Sequence, residues 1–369
     1  MALTDIDGQR LGDSVADKLG DRNLIINGAM TVSQRYTSNS GQTASAFRAC
    51  DRFRVDIDNL GTWTISQSTS APADFVNSLR IECTTADASP AANDYVAVLY
   101  HVEAQDVSWI NYGTADAKPL TLSFYVRSNK TGSASFEVRQ RDNANKLYSK
   151  VYSFSGTADV WKKVEIPIPA DTAGLINNDN GAGLTLMWWL NGGSTFTGGG
   201  PTNGWEAFDD TKRNSTNAGI GGAVNDYFEI TGVQLEVGNT ATPFQHRSYS
   251  DELRRCQRYC VTVRTDDAQT GVCNGNMWTS SVLIGVYHFP TPMRDKPALT
   301  TGVAGGDATV YSAGSNAAAT SVVEQNQSLF STELVAQTGG GLTQGNASWL
   351  RIESGGQSQQ SMVFSSELT

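Results

Sequence analysis

The sequence predicts an all-β protein: a β-sandwich, a short linker helix, and a second, C-terminal β-sandwich domain. Three observations carry this. Charged residues make up only 17%, and 36 glycines stand against 10 prolines, a texture of short strands joined by polar turns. Before residue 240, some ten segments alternate apolar and polar residues with period two, as strands do when one face is buried. A single stretch near residues 250–260 carries charges around an apolar stripe of helical spacing.

Taken in order, residues 1–22 hold one helical signal, DSVADKLG. Asp13 can cap it, Val15 and Leu19 fall four apart on one face, and Gly20 suits the position after its end. Two turns do not hold themselves together in water, so the segment is expected to order against a partner, as an attachment piece, or else to fray. Strands are expected from Asn23 onward: NLIINGAM with its Asn-Gly turn, then RFRVDI, TWTISQ, SLRIEC, YVAVLYHVE, LTLSFYVRS, SASFEVRQ, LYSKVYSFS, WKKVEIPI, LTLMWWLNG and YFEITGVQLEVG. The polar, glycine-rich stretch 191–226 is long for a connection, and such loops are functional or mobile. Its glycines lack the ending of a phosphate-binding loop.

After Pro243, Ser250 is the expected N-cap of the linker helix, with Asp251 and Glu252 in its first turn. Leu253, Cys256 and Cys260 form its apolar stripe, suited to pack on a domain or a sister chain. Strand texture then resumes in CVTVRT, SSVLIGVYHF, ATVYS, TSVVEQ, ASWLRIES and SMVFSS. The expected organisation is an attachment segment over 1–22, a β-sandwich over 23–248, a linker helix over 249–260 and a β-domain over 261–369.

Several function classes are disfavoured. Net charge is −10 with no basic stripe, so nucleic-acid binding is not expected. No run nears the roughly 20 apolar residues of a membrane-spanning helix, and the N-terminus lacks the apolar centre of a signal peptide. Membrane insertion is therefore not expected, nor, with five scattered cysteines, a disulfide framework. Cys256, Cys260, Cys273 and His288 could be forced into a zinc set, but their spacing is also that of an apolar stripe. His101, His246 and His288 lie in no catalytic motif, and the pairs Asp209–Asp210 and Asp266–Asp267 read as solvated turns. No enzyme and no required cofactor are expected.

Two resemblances sharpen this reading. Asn23 to Gly28 and Phe228 to Glu236 resemble the opening and closing strands of jelly rolls of the carbohydrate-binding-module type, over about residues 23–248. "RNLIINGAM", "VQLEVGNTATPFQHRSYSDELRRCQRYC" and "FPTPMRDKP" together resemble tail-fibre and related virion proteins of tailed phages. Gln245 stands where an acid is common, and Cys260 replaces a second tyrosine. The resemblance implies a non-enzymatic tail fibre or fibre-like protein, homotrimeric, assembled in the host cytoplasm and carried on the virion exterior. Its partners would be other virion proteins through the N-terminus and a host-surface glycan or receptor. A capsid decoration or head-fibre protein is the alternative, and a polysaccharide-degrading enzyme or its binding module is the second. Sugar-stacking candidates are Trp109, Tyr112, Trp188, Trp189 and Trp205; in MWWLN the adjacent tryptophans must face opposite ways, one into the core and one onto the outer or concave face. Jelly rolls of this type often carry a structural calcium held by oxygen ligands; Asn27, Asp226 and Glu229 are its candidates here.

Overall fold

The computed structural model describes residues 22–142, 145–265, 269–301, 308–353 and 361–368. The attachment-segment positions Val15 and Leu19, and the Asp266–Asp267 pair, lie outside the described residues. Two compact units divide between Tyr249 and Ser250.

In the first unit the strands are β1 (Ser38–Gln42), β2 (Ala46–Phe47), β3 (Phe53–Asp58), β4 (Thr62–Ser68), β5 (Ser78–Thr85) and β6 (Tyr95–Glu103). A one-turn helix, α1 (Ala104–Val107), leads towards β7 (Leu120–Ser128), β8 (Ser133–Gln140) and β9 (Lys146–Ser153). Then come β10 (Lys162–Ile168), β11 (Ala182–Gly192), β12 (Glu206–Ala207) and β13 (Tyr227–Val237). They form a six-stranded sheet, β1-β4-β5-β13-β7-β10, and a seven-stranded sheet, β12-β9-β8-β11-β6-β3-β2. Every other residue of each strand points between the sheets, so Leu122, Phe124 and Val126 meet Phe136, Leu186 and Trp188 in one core.

One strand breaks the alternation. In β13 the core residues are Phe228, Ile230, Val233 and Leu235, a jump of three in the middle. The register against β7 slips there: Thr231 pairs with Tyr125 and Gln234 with Ser123, leaving Gly232 and Val233 opposite Phe124 alone. Gly232 takes a left-handed φ of 61°. This is a β-bulge of the glycine type, and it turns Gln234 and Glu236 to the outer face.

Those two side chains bind the segment that follows. Gln234 Oε1 accepts from the Gln245 amide at 2.8 Å, while Glu236 accepts from the Thr242 amide at 2.8 Å and its hydroxyl at 2.6 Å. The N-terminal run joins them. Asn23 Oδ1 accepts from the Leu235 amide at 3.1 Å, the Asn23 amide donates to Gln245 Oε1 at 2.9 Å, and Arg247 donates to the Ile25 carbonyl at 3.0 Å. NLIING, expected as a strand, is instead an extended run ending in a turn over residues 26–29. A Cβ on Gly28 would lie 2.1 Å from the Val233 carbonyl oxygen, so only glycine allows this close approach.

The second unit opens with α2 (Tyr249–Gln257), followed by β14 (Cys260–Arg264), β15 (Thr270–Met277), β16 (Val282–His288), β17 (Ala298–Thr301) and β18 (Ala308–Ser312). It ends with β19 (Ser315–Gln325), β20 (Ser331–Thr338), β21 (Ala347–Ile352) and β22 (Ser361–Ser365). The expected C-terminal β-domain takes a definite form: a closed barrel, β15-β16-β20-β19-β18-β21, and a three-stranded sheet, β14-β22-β17. Val261 and Phe364 of that sheet share a core with Met277, Leu283 and Leu350 of the barrel.

The helix differs from its expected bounds. It begins at Tyr249, which puts Ser250 inside the first turn, and it ends at Gln257. Cys260 starts β14 and so is not part of a helical stripe. The buried positions on the helix are Glu252 and Cys256, four apart, while Leu253 is half-buried. Within the second unit, the Arg258 carbonyl accepts from the Arg294 amide at 2.7 Å, and the Tyr259 carbonyl from the Ser366 amide at 2.8 Å.

Candidate functional site

An open cleft of about 550 Å³ lies on the outer face of the six-stranded sheet. Its floor is Lys163 on β10 and Tyr125 on β7, in register with each other, and the bulge glycine Gly232 on β13. One wall is Phe75, from the loop between β4 and β5; the other is Thr242, Pro243, Phe244 and His246 from the tethered segment after β13. The rings form one continuous cluster. Phe75 lies 5.4 Å from Tyr125, 5.0 Å from Phe244 and 5.3 Å from His246.

Gly232 makes room for them, since a Cβ there would lie 2.7 Å from Phe75 Cζ and 2.9 Å from Tyr125 Cδ2. Polar groups at the rim are Asp74, Ser123, Lys163 and Thr242; Lys163 pairs with Glu165 at 2.8 Å. Asp74 is the one carboxylate among the described lining residues. Ring faces with a few hydroxyls and charges at the edge suit a ligand that is apolar on its faces and polar at its rim.

The seven-stranded sheet has an equally aromatic outer face, but the loop expected to be functional or mobile covers it. The segment 193–218 is fastened by two 3₁₀ turns, Ser194–Phe196 and Asp210–Lys212, and by β12 pairing with β9. From it Arg213 reaches onto the sheet, its guanidinium 4.9 Å from the Trp189 ring centre and 5.4 Å from those of Phe196 and Phe208. Arg213 donates to both oxygens of Glu137, at 3.0 Å each, and Glu137 is completely buried. Nearby, burial pushes the His101 imidazole down to about 3, with Arg52 adding to the effect; its Nδ1 lies 2.9 Å from Thr185 Oγ1.

This arrangement corrects several sequence expectations. Trp188 and Trp189 do face opposite ways, but both are fully buried, Trp188 in the main core and Trp189 beneath Phe196 and Arg213. Tyr112 is buried, with its hydroxyl on the Pro169 carbonyl at 3.3 Å. Trp205 is half-buried and donates to the same carbonyl at 2.7 Å, 5.8 Å from the Tyr112 and Tyr148 rings. Of the five candidates only Trp109 is largely open, at 45%, with Lys118 Nζ 4.8 Å over its ring.

The calcium candidates do not assemble. Asn27 is consumed by the backbone of Val32 and Asp51. Asp226 accepts from two amides and pairs with Lys130 at 3.0 Å. Glu229 pairs with Arg80 at 3.0 Å and Arg127 at 3.5 Å. Among the described residues no three His, Cys, Asp or Glu side chains cluster as a metal set, and the five cysteines are buried.

Phe75, Tyr125, Phe244 and His246 escaped sequence reasoning. Tyr125 had a signal, being out of phase with Phe124 in LTLSFYVRS, and Gly232 marked a strand position without a side chain. Phe75 had none.

No known protein family matches the sequence, and no curated protein matches it. Solved structures that align include a putative sugar binding protein from Bacteroides thetaiotaomicron, 14% identical, covering 59% of this chain and 100% of that one with a TM-score of 0.33. The enzymatically active domain of bacteriophage CBA120 tailspike protein 4 is 9% identical; the alignment spans 58% of this chain and only 21% of that one, with a TM-score of 0.32. A family 11 carbohydrate-binding module of a Clostridium thermocellum cellulosomal cellulase is 13% identical, covering 59% and 97% with a TM-score of 0.27. At TM-scores this low the likenesses carry no weight on function.

Proposed function

We propose that this chain is a non-enzymatic attachment protein of a phage virion, a tail fibre or fibre-like protein, whose first unit holds a host-surface glycan in the Phe75–Tyr125–Phe244 cleft. The observation that carries the glycan reading is the open, ring-lined cleft itself. The virion reading is supported by the sequence resemblance of the 22–30, 233–260 and 289–297 stretches to tail-fibre proteins. The absence of a second lining carboxylate among the described residues supports binding over glycosidic cleavage, which uses a pair. Clustered copies, as in a trimer, would raise the avidity of a weak site.

Two measurements test this. Purified protein should bind host cells and release no reducing sugar from their envelope polysaccharide, and Tyr125→Ala with Phe244→Ala should sharply weaken the binding. Unchanged binding by that variant, or sugar release by the wild type, overturns the respective part. Deleting residues 1–22 should abolish incorporation into particles, and labelled protein should decorate tails; a label on the shell would make it a capsid protein instead.

A further inference from the structure

We propose that the outer wall of the C-terminal barrel carries a second, independent site for a neutral pyranose glycan, centred on Trp349. In β21 the inward residues are Ser348, Leu350 and Ile352, so Ala347, Trp349 and Arg351 stand on the outer wall. Trp349 is 43% exposed.

It is also held in place. On one side, in register on β18, Tyr311 stacks against it with ring centres 5.4 Å apart and planes 10° from parallel. Tyr311 is braced in turn by Arg351, whose guanidinium lies 4.0 Å over its ring, and by Glu353, which accepts from the Tyr311 hydroxyl at 3.2 Å. Arg351 and Glu353 are joined at 3.1 Å, so this bracing triad is close to neutral.

On the other side, in register on β15, stands Asn274. A short side chain there covers less of the indole than an aromatic neighbour would. Asn316 on β19 flanks Tyr311 from the far side, and both asparagines are exposed. Four adjacent strands thus present amide, indole, phenol and amide in one row. The negative ring face attracts the polarised C–H face of a pyranose, and the amides supply donors and acceptors for its hydroxyls. With Arg351 and Glu353 cancelling, nothing in the row favours a charged sugar over a neutral one.

The test uses the full chain and a panel of neutral gluco-, galacto- and manno-configured oligosaccharides, read by calorimetry. At least one should bind saturably; Trp349→Ala should weaken it about tenfold or more, the scale of one lost aromatic contact. Asn274→Ala should weaken it several-fold. Trp278→Ala, which removes a more exposed tryptophan of the same barrel (63%), should leave it unchanged. Phe244→Ala should also leave it unchanged, which separates this site from the first-unit cleft. No saturable binding at tens of millimolar sugar, or binding lost with Phe244→Ala and retained with Trp349→Ala, overturns the inference; the latter result would leave the cleft reading standing. A Trp349→Ala variant altered only in oligomeric state would also overturn it, by making the row a protein contact.

Discussion

The two outer faces of the jelly roll begin alike and end differently. Each presents aromatic and charged side chains at alternate strand positions: Met187, Trp189 and Glu137 on the seven-stranded sheet, Tyr125, Ser123 and Lys163 on the six-stranded one. On the first, a long loop lays Phe196, Phe208 and Arg213 over the rings and seals them. On the second, a bulge removes a side chain at Gly232 and the tethered segment 242–246 raises walls without a roof. Aromatic residues on a sheet face therefore do not mark a binding site by themselves. What lies across them decides.

The comparison can be broken most forcefully at Arg213. Arg213→Ala leaves Glu137 charged and buried without its partner, which should cost the first unit about 3–5 kcal/mol, read as an earlier first transition in chemical denaturation. Pairing it with Glu137→Gln should restore most of the loss. If the single variant is near neutral, the loop is not a structural seal. On the same face, His101 stays neutral in the fold down to about pH 3, whereas an unfolded imidazole takes a proton below about 6.5. Its contribution is therefore absent above that pH, and it destabilises increasingly as pH falls between the two values. His101→Gln should narrow the stability difference between neutral pH and pH 4 by about 2–3 kcal/mol, measured by urea titration at each pH.

The open face should be more forgiving. Gly232→Ala puts a Cβ against Phe75 at a left-handed backbone position; it should cost about 1–2 kcal/mol and reduce cell binding by crowding the cleft. Phe244→Ala should change stability least, within about 1 kcal/mol, while still lowering cell binding. A cleft serving ligand, not fold, requires that last dissociation. Loss of stability without loss of binding would reverse the assignment of the two faces.

Much of the architecture was legible from alternation alone. YVAVLYHVE and LTLSFYVRS match β6 and β7 in full, because a strand with one buried face writes a period-two code. The strands missed were those whose packing is not in their composition. TGVCNGNM became β15 and STELVAQT became β20; a closed barrel pairs both edges of each strand, so polar and glycine-rich segments are held by their neighbours' ladders. The tail-fibre-like stretches gain a physical reading as well. RNLII is bound by the QLE–TATPFQHR segment some 210 residues away, and Arg294 of FPTPMRDKP by the chain just after α2.

The all-β class, most strand positions and the opposition of Trp188 to Trp189 follow from residue order along single strands. The tertiary structure alone decided which outer face is covered, that Asp226 and Glu229 pair with cations instead of forming a metal set, and that Tyr311, Trp349 and Asn274 stand in one row. Each of these rests on contacts between residues tens to hundreds of positions apart, and no local periodicity records which distant segment comes to lie across a given strand.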